Sequence, residues 1–176
     1  AHLIGSISPS GDENLAVFSS IIHLGSNPAL IGFILRPKTV PRNSHANMKS
    51  TGVFTLNAIS SNQIEDAHHT SAKYPDNISE FDQTNLEPEI KQGWKAPYVK
   101  GAQIQIGCSY VNEYLIKEND TVLVVGKIEH LFIEEQLLGQ DGWIQLDKGD
   151  IVSINGLDGY AIPTLIKRFE YARPKK

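Results

Sequence analysis

Short apolar stretches separated by turn-forming residues recur along the chain, and this pattern predicts strands rather than long helices. The stretch 29–35 is apolar throughout, which is typical of a central strand covered on both faces. The connections favour antiparallel pairing, so we expect a mainly β fold, a small closed barrel of about six strands with a few short helices. The predicted strands cover residues 2–8, 14–23, 29–35, 53–59, 104–110, 121–133 and 151–155.

Two short helices are predicted between these strands. The first covers residues 44–51, is capped by Asn43 or Ser44, and ends at Gly52. The second opens at residues 60–63, which have the serine-to-glutamine spacing of a capping box. Strands and helices do not alternate regularly, and the glycine patterns of dinucleotide-binding and P-loop folds are absent. The sequence therefore argues against a doubly wound parallel sheet.

The extent of the chain predicts a single domain over residues 1–176, in which residues 161–176 form a peripheral or dimer-contacting tail. Residues 74–97 are polar with little periodicity, which predicts a long excursion carrying one short helix. The chain starts directly in a predicted strand, and we expect that strand to lie at an exposed edge of the sheet. Residues 151–155 are expected to close the sheet.

Composition narrows the possible partners and the cellular location. Hydrophobic residues make up 40% and charged residues 20% of the chain, as in ordinary globular proteins. The net charge of −4 argues against binding to nucleic acid or to an anionic membrane. No apolar run approaches the roughly 20 residues that span a bilayer, and no signal-peptide pattern is visible. The single cysteine, Cys108, fits a cytoplasmic protein, and its alternating strand predicts a buried, inert thiol.

The loop of residues 36–45 is the strongest candidate for a binding site. It places two arginines, a lysine, two hydroxyls and an amide just where a helix opens. A helix N-terminus surrounded by positive charge and hydrogen-bond donors suits a phosphate group. The alternative is an ordinary solvated loop that ends in a helix cap, because capping uses the same chemistry.

The adjacent residues His68 and His69 raise the possibility of a metal site. Neighbouring residues on a helix point about 100° apart, so both rings cannot easily face one ion. Zinc would also need three or four ligands, and no cysteine or acidic cluster stands at motif spacing nearby. We therefore expect no metal.

Six motifs in order resemble the flavin reductase-like proteins, whose fold is the FMN-binding split barrel. The likeness covers residues 3 to about 160. The motifs are Ser6-Ile7-Ser8 followed by a Gly-Asp turn and Asn14-Leu15-Ala16-Val17-Phe18-Ser19-Ser20; Ser26-Asn27-Pro28-Ala29-Leu30-Ile31-Gly32-Phe33; Arg36-Pro37 with Arg42-Asn43-Ser44; Gly52-Val53-Phe54-Thr55-Leu56-Asn57; His69-Thr70-Ser71-Ala72-Lys73-Tyr74-Pro75; and Ser79-Glu80-Phe81.

The resemblance implies a six-stranded antiparallel Greek-key barrel that forms a homodimer, with FMN held near the subunit interface. FAD is a less favoured ligand. Many relatives carry Lys-Asp-Thr where this chain has Arg42-Asn43-Ser44, a change that keeps a cation, a polar group and a hydroxyl. Pro41 departs from the family pattern, so the resemblance does not define the exact path of this loop. The residues implied to contact flavin are Phe18, Ser19 and Ser20; those implied at the phosphate are Arg42, Asn43 and Ser44, with Arg36 and Thr39 close by; those implied near the cofactor are His69, Thr70 and Ser71.

The function implied by the resemblance is hydride transfer from NADH or NADPH to FMN. Such a protein can pass reduced flavin to a partner oxygenase, and no protein acid or base is required because the cofactors carry the chemistry. One alternative is a flavin-binding electron carrier or sensor without nicotinamide turnover. Another is a split-barrel relative that binds haem or pyridoxal phosphate. The sequence does not separate these functions.

Overall fold

The structure is a computed structural model that describes residues 1–37, 42–75 and 77–174. Within these residues two α-helices form, α1 (Asn43–Thr51) and α2 (Ile64–His69). Single 3₁₀ turns cover Ser61–Gln63, Glu80–Gln83, Glu135–Leu137 and Leu146–Gly149. The strands are β1 (His2–Ile7), β2 (Glu13–Phe18), β3 (Ile22–Ser26), β4 (Ala29–Leu35), β5 (Val53–Ala58), β6 (Pro88–Glu89), β7 (Tyr98–Val99), β8 (Ile104–Ile116), β9 (Thr121–Ile133), β10 (Ser153–Asn155) and β11 (Gly159–Ala161).

One antiparallel sheet dominates the described residues, and its strand order is β2-β1-β5-β8-β9-β4-β3. The mainly β class is confirmed, but this sheet has seven strands rather than six. The predicted strand 14–23 divides into β2 and β3, which lie at opposite ends of the sheet. The sequence suggested that β1 lies at an edge of the sheet. That prediction is wrong, because β2 and β5 pair with its two sides.

The sheet curls so that its two ends meet. The rings of Phe18 in β2 and Phe33 in β4 pack edge to face, with centroids 5.3 Å apart. Just beyond β2, the Ser20 hydroxyl accepts the Ile34 N–H at 3.0 Å and donates to the Ile34 carbonyl at 3.2 Å. Apolar side chains from five strands and α1 fill the interior of the resulting barrel: Ile4, Ile31, Phe33, Leu35, Met48, Phe54, Leu56, Cys108, Val122 and Val124.

Helix α1 ends as predicted but begins differently. Gly52 adopts a positive φ of 74°, and its N–H donates to the Met48 carbonyl, which ends the helix. The prediction that Asn43 or Ser44 caps the start is wrong, because both lie inside the helix and Arg42 occupies the N-cap position. No described side chain caps this end of the helix. The hydroxyl of Ser44 instead accepts a hydrogen bond from the side chain of Asn14.

Residues 151–155 do not close the main sheet. They lead into β10, which pairs only with β11 in a separate hairpin. The Val152 N–H donates to the Ile59 carbonyl, so this segment packs beside the end of β5 instead of extending the sheet. After β11 the described residues 162–174 have no regular structure and are exposed. None of the described helices is long and apolar enough to cross a membrane.

Candidate functional site

A cavity of about 690 Å³ opens where β2, the end of β4, the start of α1 and the segment after α2 come together. Cavities of roughly 300–1,000 Å³ are typical of small-molecule and cofactor sites. The lining residues are Asn14, Ala16, Val17, Phe18, Ser19, Ser20, Ile34, Leu35, Arg36, Arg42, Asn43, Ser44, Thr70, Ser71, Ala72, Lys73, Tyr74, Glu80, Ile154 and Leu157.

Strand β2 turns its unpaired edge to this cavity. The Leu15 N–H donates to Glu80 Oε2 at 2.8 Å, so this residue directs its backbone groups away from β1. In an antiparallel pair, every second residue of a strand directs its backbone N–H and C=O away from the partner strand. After Leu15, the next residue of β2 with this orientation is Val17, which lines the cavity. The edge of β2 therefore offers a backbone donor and acceptor to a ligand.

The three residues predicted to contact flavin all line the cavity but differ in what they offer. Phe18 packs against the barrel core through Phe33. The Ser20 hydroxyl is used in its two bonds to the backbone of Ile34. Ser19 is exposed at the cavity wall. Its hydroxyl is therefore the one that a ligand reaches without displacing a bond of the fold.

The predicted phosphate residues that the structure describes line the same cavity. Arg36, Arg42, Asn43 and Ser44 all line it, whereas Thr39 lies outside the described residues. Arg42 Nε is buried and has no hydrogen-bond partner among the described residues. The first turn of α1 contains no acidic residue, so the positive end of the helix dipole is not neutralised locally.

The charge of the lining is opposite to that of the whole chain. Among the described lining residues, Arg36, Arg42 and Lys73 are cationic and Glu80 is the single carboxylate, whereas the chain carries a net charge of −4. Burial raises the pKa of Glu80, an effect only partly countered by the N–H donated from Leu15. A cavity with this excess of positive charge attracts anions.

A carboxylate outside the cavity fixes α1 to the barrel. Glu113 of β8 accepts hydrogen bonds from Lys49 Nζ at 2.8 Å and from the Tyr110 hydroxyl at 2.9 Å, and its Oε2 lies 2.5 Å from His45 Nε2. Burial raises the pKa of Glu113, but these three partners outweigh burial and lower it to about 2. The helix whose first turn borders the cavity is therefore held by an ionised carboxylate.

The residues after α2 are only partly placed as predicted. Thr70 and Ser71 line the cavity, although the Thr70 hydroxyl donates to the Ala67 carbonyl at 2.8 Å. His69 is not among the lining residues. Its Nε2 shares a hydrogen bond of 2.5 Å with the hydroxyl of Tyr74, which does line the cavity. Its hydrogen bond to Tyr74 therefore connects His69 to the cavity lining.

The paired histidines diverge as neighbours on a helix should. His68 Nδ1 lies 3.2 Å from the Tyr160 hydroxyl, on the hairpin of β10 and β11, while His69 bonds to Tyr74. In residues 1–37, 42–75 and 77–174, no three His, Cys, Asp or Glu side chains are grouped so that they could hold a metal ion.

The sequence did not single out Asn14, Lys73, Tyr74, Glu80, Ile154 or Leu157 as ligand contacts. Asn14 could have been noticed as an amide in a predicted strand whose neighbours are apolar. Its side chain donates from Nδ2 to Ser44 Oγ at 2.9 Å, which links β2 to α1. Leu157 lies at the tip of the hairpin of β10 and β11, and only the folded chain brings that hairpin to the cavity.

Comparison with solved structures supports the split-barrel fold that the sequence predicted. The chain resembles a Shewanella frigidimarina protein provisionally described as a flavin reductase with a split barrel domain, with 38% identity, 98% of this chain and 85% of that chain covered, and a TM-score of 0.94. It also resembles nitrilotriacetate monooxygenase component B from Bacillus cereus, with 23% identity, coverage of 97% and 85%, and a TM-score of 0.85. Flavoredoxin of Desulfovibrio vulgaris matches with 20% identity, coverage of 96% and 88%, and a TM-score of 0.82.

The family comparison extends over most of the sequence. Residues 1–146 match the family model of the flavin reductase like domain. The hairpin of β10 and β11, which supplies Ile154 and Leu157 to the cavity wall, lies beyond the matched residues. The strand order, the barrel closure and the sequence match agree. This chain belongs to the flavin reductase-like family and has the split-barrel fold.

Proposed function

We propose that this protein binds FMN in the cavity between β2 and α1 and transfers hydride from NADH or NADPH to the flavin. The observation that carries the proposal is Arg42, whose buried Nε lacks a partner among the described residues at the uncapped start of α1. A buried donor without a partner costs about 1–3 kcal/mol, so a bound acceptor would stabilise it. Phosphate is the acceptor that a helix N-terminus with a guanidinium group suits best.

In this proposal the two sides of the cavity bind two parts of FMN. Arg42, Asn43 and Ser44 hold the phosphate, with Arg36 beside them and Thr39 still a prediction from the sequence. The open edge of β2 and the Ser19 hydroxyl bind the ring and its side chain. We favour FMN over FAD because FMN ends in a single phosphate, which suits one helix N-terminus with a guanidinium group beside it.

Flavin, once bound, supplies the hydride acceptor, and the protein supplies binding and orientation. Backbone donors of β2, which the fold holds in place, would favour negative charge on the ring of a bound flavin. Hydride transfer from nicotinamide to flavin requires no further chemical group from the protein. We assign no catalytic acid or base; Tyr74, whose hydroxyl is hydrogen-bonded to His69, and Glu80 are ionisable groups of the lining.

Partners and surroundings are also part of the proposal. The resemblance to a monooxygenase component B favours delivery of reduced flavin to an oxygenase. A homodimer would cover the apolar side chains of the tail, where Ile166, Phe169 and Tyr171 are 95%, 80% and 90% exposed. The buried free thiol of Cys108 fits the cytoplasm.

An absorption spectrum of the protein with FMN, followed by anaerobic addition of NADH and then NADPH, tests the function. Bleaching of the flavin band at a catalytic rate is expected, and it identifies the hydride donor. A protein that retains FMN but is reduced by neither nicotinamide would contradict hydride transfer and favour an electron carrier. That alternative has a specific basis in the resemblance to flavoredoxin. A protein that binds no flavin would refute both functions.

A further inference from the structure

We propose that Asn14 is a positioning residue for the phosphate side of the cavity and acts through the hydroxyl of Ser44. The amide holds this hydroxyl so that its proton is directed to a bound phosphate. The inference rests on the proposed function, because it concerns the same ligand. It assigns a role to a residue that itself need not touch the phosphate.

The contact joins two elements that both border the cavity. Asn14 lies in β2 and Ser44 in the first turn of α1, and they are 8% and 7% exposed. Asn14 Nδ2 donates to Ser44 Oγ at 2.9 Å. Both residues line the cavity. A buried hydrogen bond therefore ends on a residue that borders the candidate ligand site.

The hydrogen-bonding capacity of the Ser44 hydroxyl determines which bond it can still form with a ligand. A serine hydroxyl has one proton to donate and two lone pairs that accept. Because the amide NH₂ of Asn14 only donates, the bond uses one lone pair of Ser44 and leaves the proton. No acceptor among the described residues takes that proton. Asn14 thus makes Ser44 a hydrogen-bond donor toward the cavity.

The same helix contains a matched pair with the same chemistry away from the site. Asn47 Nδ2 donates to Ser6 Oγ at 3.4 Å, and these residues are 8% and 0% exposed. Neither residue lines the cavity. A purely structural role for Asn14 would make the two pairs equivalent in their effect on ligand selectivity. A positioning role would not.

The test compares the dissociation constants of FMN and riboflavin, measured by quenching of flavin fluorescence. The variants are Asn14→Ala, Ser44→Ala, the double variant and Asn47→Ala. We expect Asn14→Ala to lower the preference for FMN over riboflavin about tenfold, the size of a hydrogen bond to a charged group. Asn47→Ala should keep the wild-type preference, even if it lowers the unfolding temperature. Adding Asn14→Ala to Ser44→Ala should cause no further loss of preference.

A second substitution keeps the test valid if Asn14→Ala fails to fold. Asn14→Asp has nearly the same shape but accepts the Ser44 proton, so it should weaken FMN binding more than riboflavin binding. Part of that loss comes from the new negative charge. The loss should therefore shrink, without vanishing, when Ser44→Ala is also present.

The outcomes separate this inference from the function on which it rests. If the wild-type protein prefers FMN but Asn14→Ala and Asn14→Asp keep that preference, Asn14 has no positioning role and only the inference fails. An equal loss of preference in Asn47→Ala would also overturn it, by showing a general effect of loosening α1. If the wild-type protein binds flavin without preferring FMN, the phosphate assignment fails and the inference fails with it.

Discussion

Replacing Arg42 by alanine should weaken FMN binding while leaving riboflavin binding almost unchanged. Riboflavin is FMN without the phosphate, so the pair of ligands isolates the interaction in question. A hydrogen bond to a charged group contributes about 1.5–3 kcal/mol. Arg42 is half-buried, which reduces screening by water but does not abolish it. A loss of about 2 kcal/mol corresponds to about a 30-fold increase in the Kd for FMN.

The same substitution should not lower the stability of the ligand-free protein. Arg42 Nε is buried without a partner among the described residues, an arrangement that opposes folding. Arg42→Ala removes this group, so we expect the unfolding temperature without ligand to stay the same or rise. A residue kept for packing would instead lower it. Thermal unfolding with and without FMN measures both effects on one sample.

Fluorescence quenching at two salt concentrations completes the assay. The Debye length shrinks from about 10 Å at 0.1 M to about 3 Å at 1 M salt. The difference in Kd between wild type and Arg42→Ala should therefore narrow at high salt. Lys95→Ala is the control for net charge, because Lys95 is exposed and does not line the cavity. Equal weakening of FMN and riboflavin by Arg42→Ala would refute the phosphate assignment.

Three further predictions concern stability. Saturating FMN at 100 times its Kd should stabilise the fold by about 2.7 kcal/mol, a rise of about 5–10 °C in Tm, and an unchanged Tm would contradict binding to the native state. Gly5→Ala should destabilise the fold by more than about 2 kcal/mol, because the added Cβ would collide with the Pro97 carbonyl. In the control Gly25→Ala the added Cβ meets only the Pro28 carbonyl, at 3.9 Å. Similar urea midpoints for the two variants would contradict this prediction. The pKa of Glu113 falls from an ordinary 4.5 to about 2 on folding, so its contribution is present above pH 4.5 and lost as the pH falls toward 2. Glu113→Gln should therefore cost more unfolding free energy at pH 7 than at pH 3, and an equal cost would contradict the ion pairing.

The elements that the sequence predicted well are those defined by local signals. Strand β9 has the predicted bounds of 121–133, because its apolar run is long and turn residues flank it. Gly52 ends α1 because only a residue tolerant of positive φ fits there. Long-range pairing carries no such signal. The interior position of β1 and the separate hairpin of β10 and β11 depend on which distant strands meet, and both were predicted wrongly.

The residues of the candidate site show the same division between those that local motifs indicate and those that depend on long-range contacts. The residues taken from the family motifs, such as Phe18 and Ser44, mostly lie in one cavity, because motif order reflects the fold. Asn14 and Glu80 were not predicted as site residues, because their importance depends on contacts across 30 and 65 residues of chain. His69 was predicted near the cofactor; in the structure it does not line the cavity but is hydrogen-bonded to Tyr74, which does.

The location of the cavity follows from three local irregularities that coincide. A strand edge normally pairs or is covered, a helix start is normally capped, and a buried donor normally has an acceptor. At this cavity the edge of β2 remains open at Val17, α1 begins without a side-chain cap, and Arg42 Nε has no partner among the described residues. Each of these features leaves a polar backbone or side-chain group that a bound ligand could satisfy. A single ligand with a polar ring edge and a phosphate would satisfy all three at once, and these three features therefore support the proposal that the ligand is FMN.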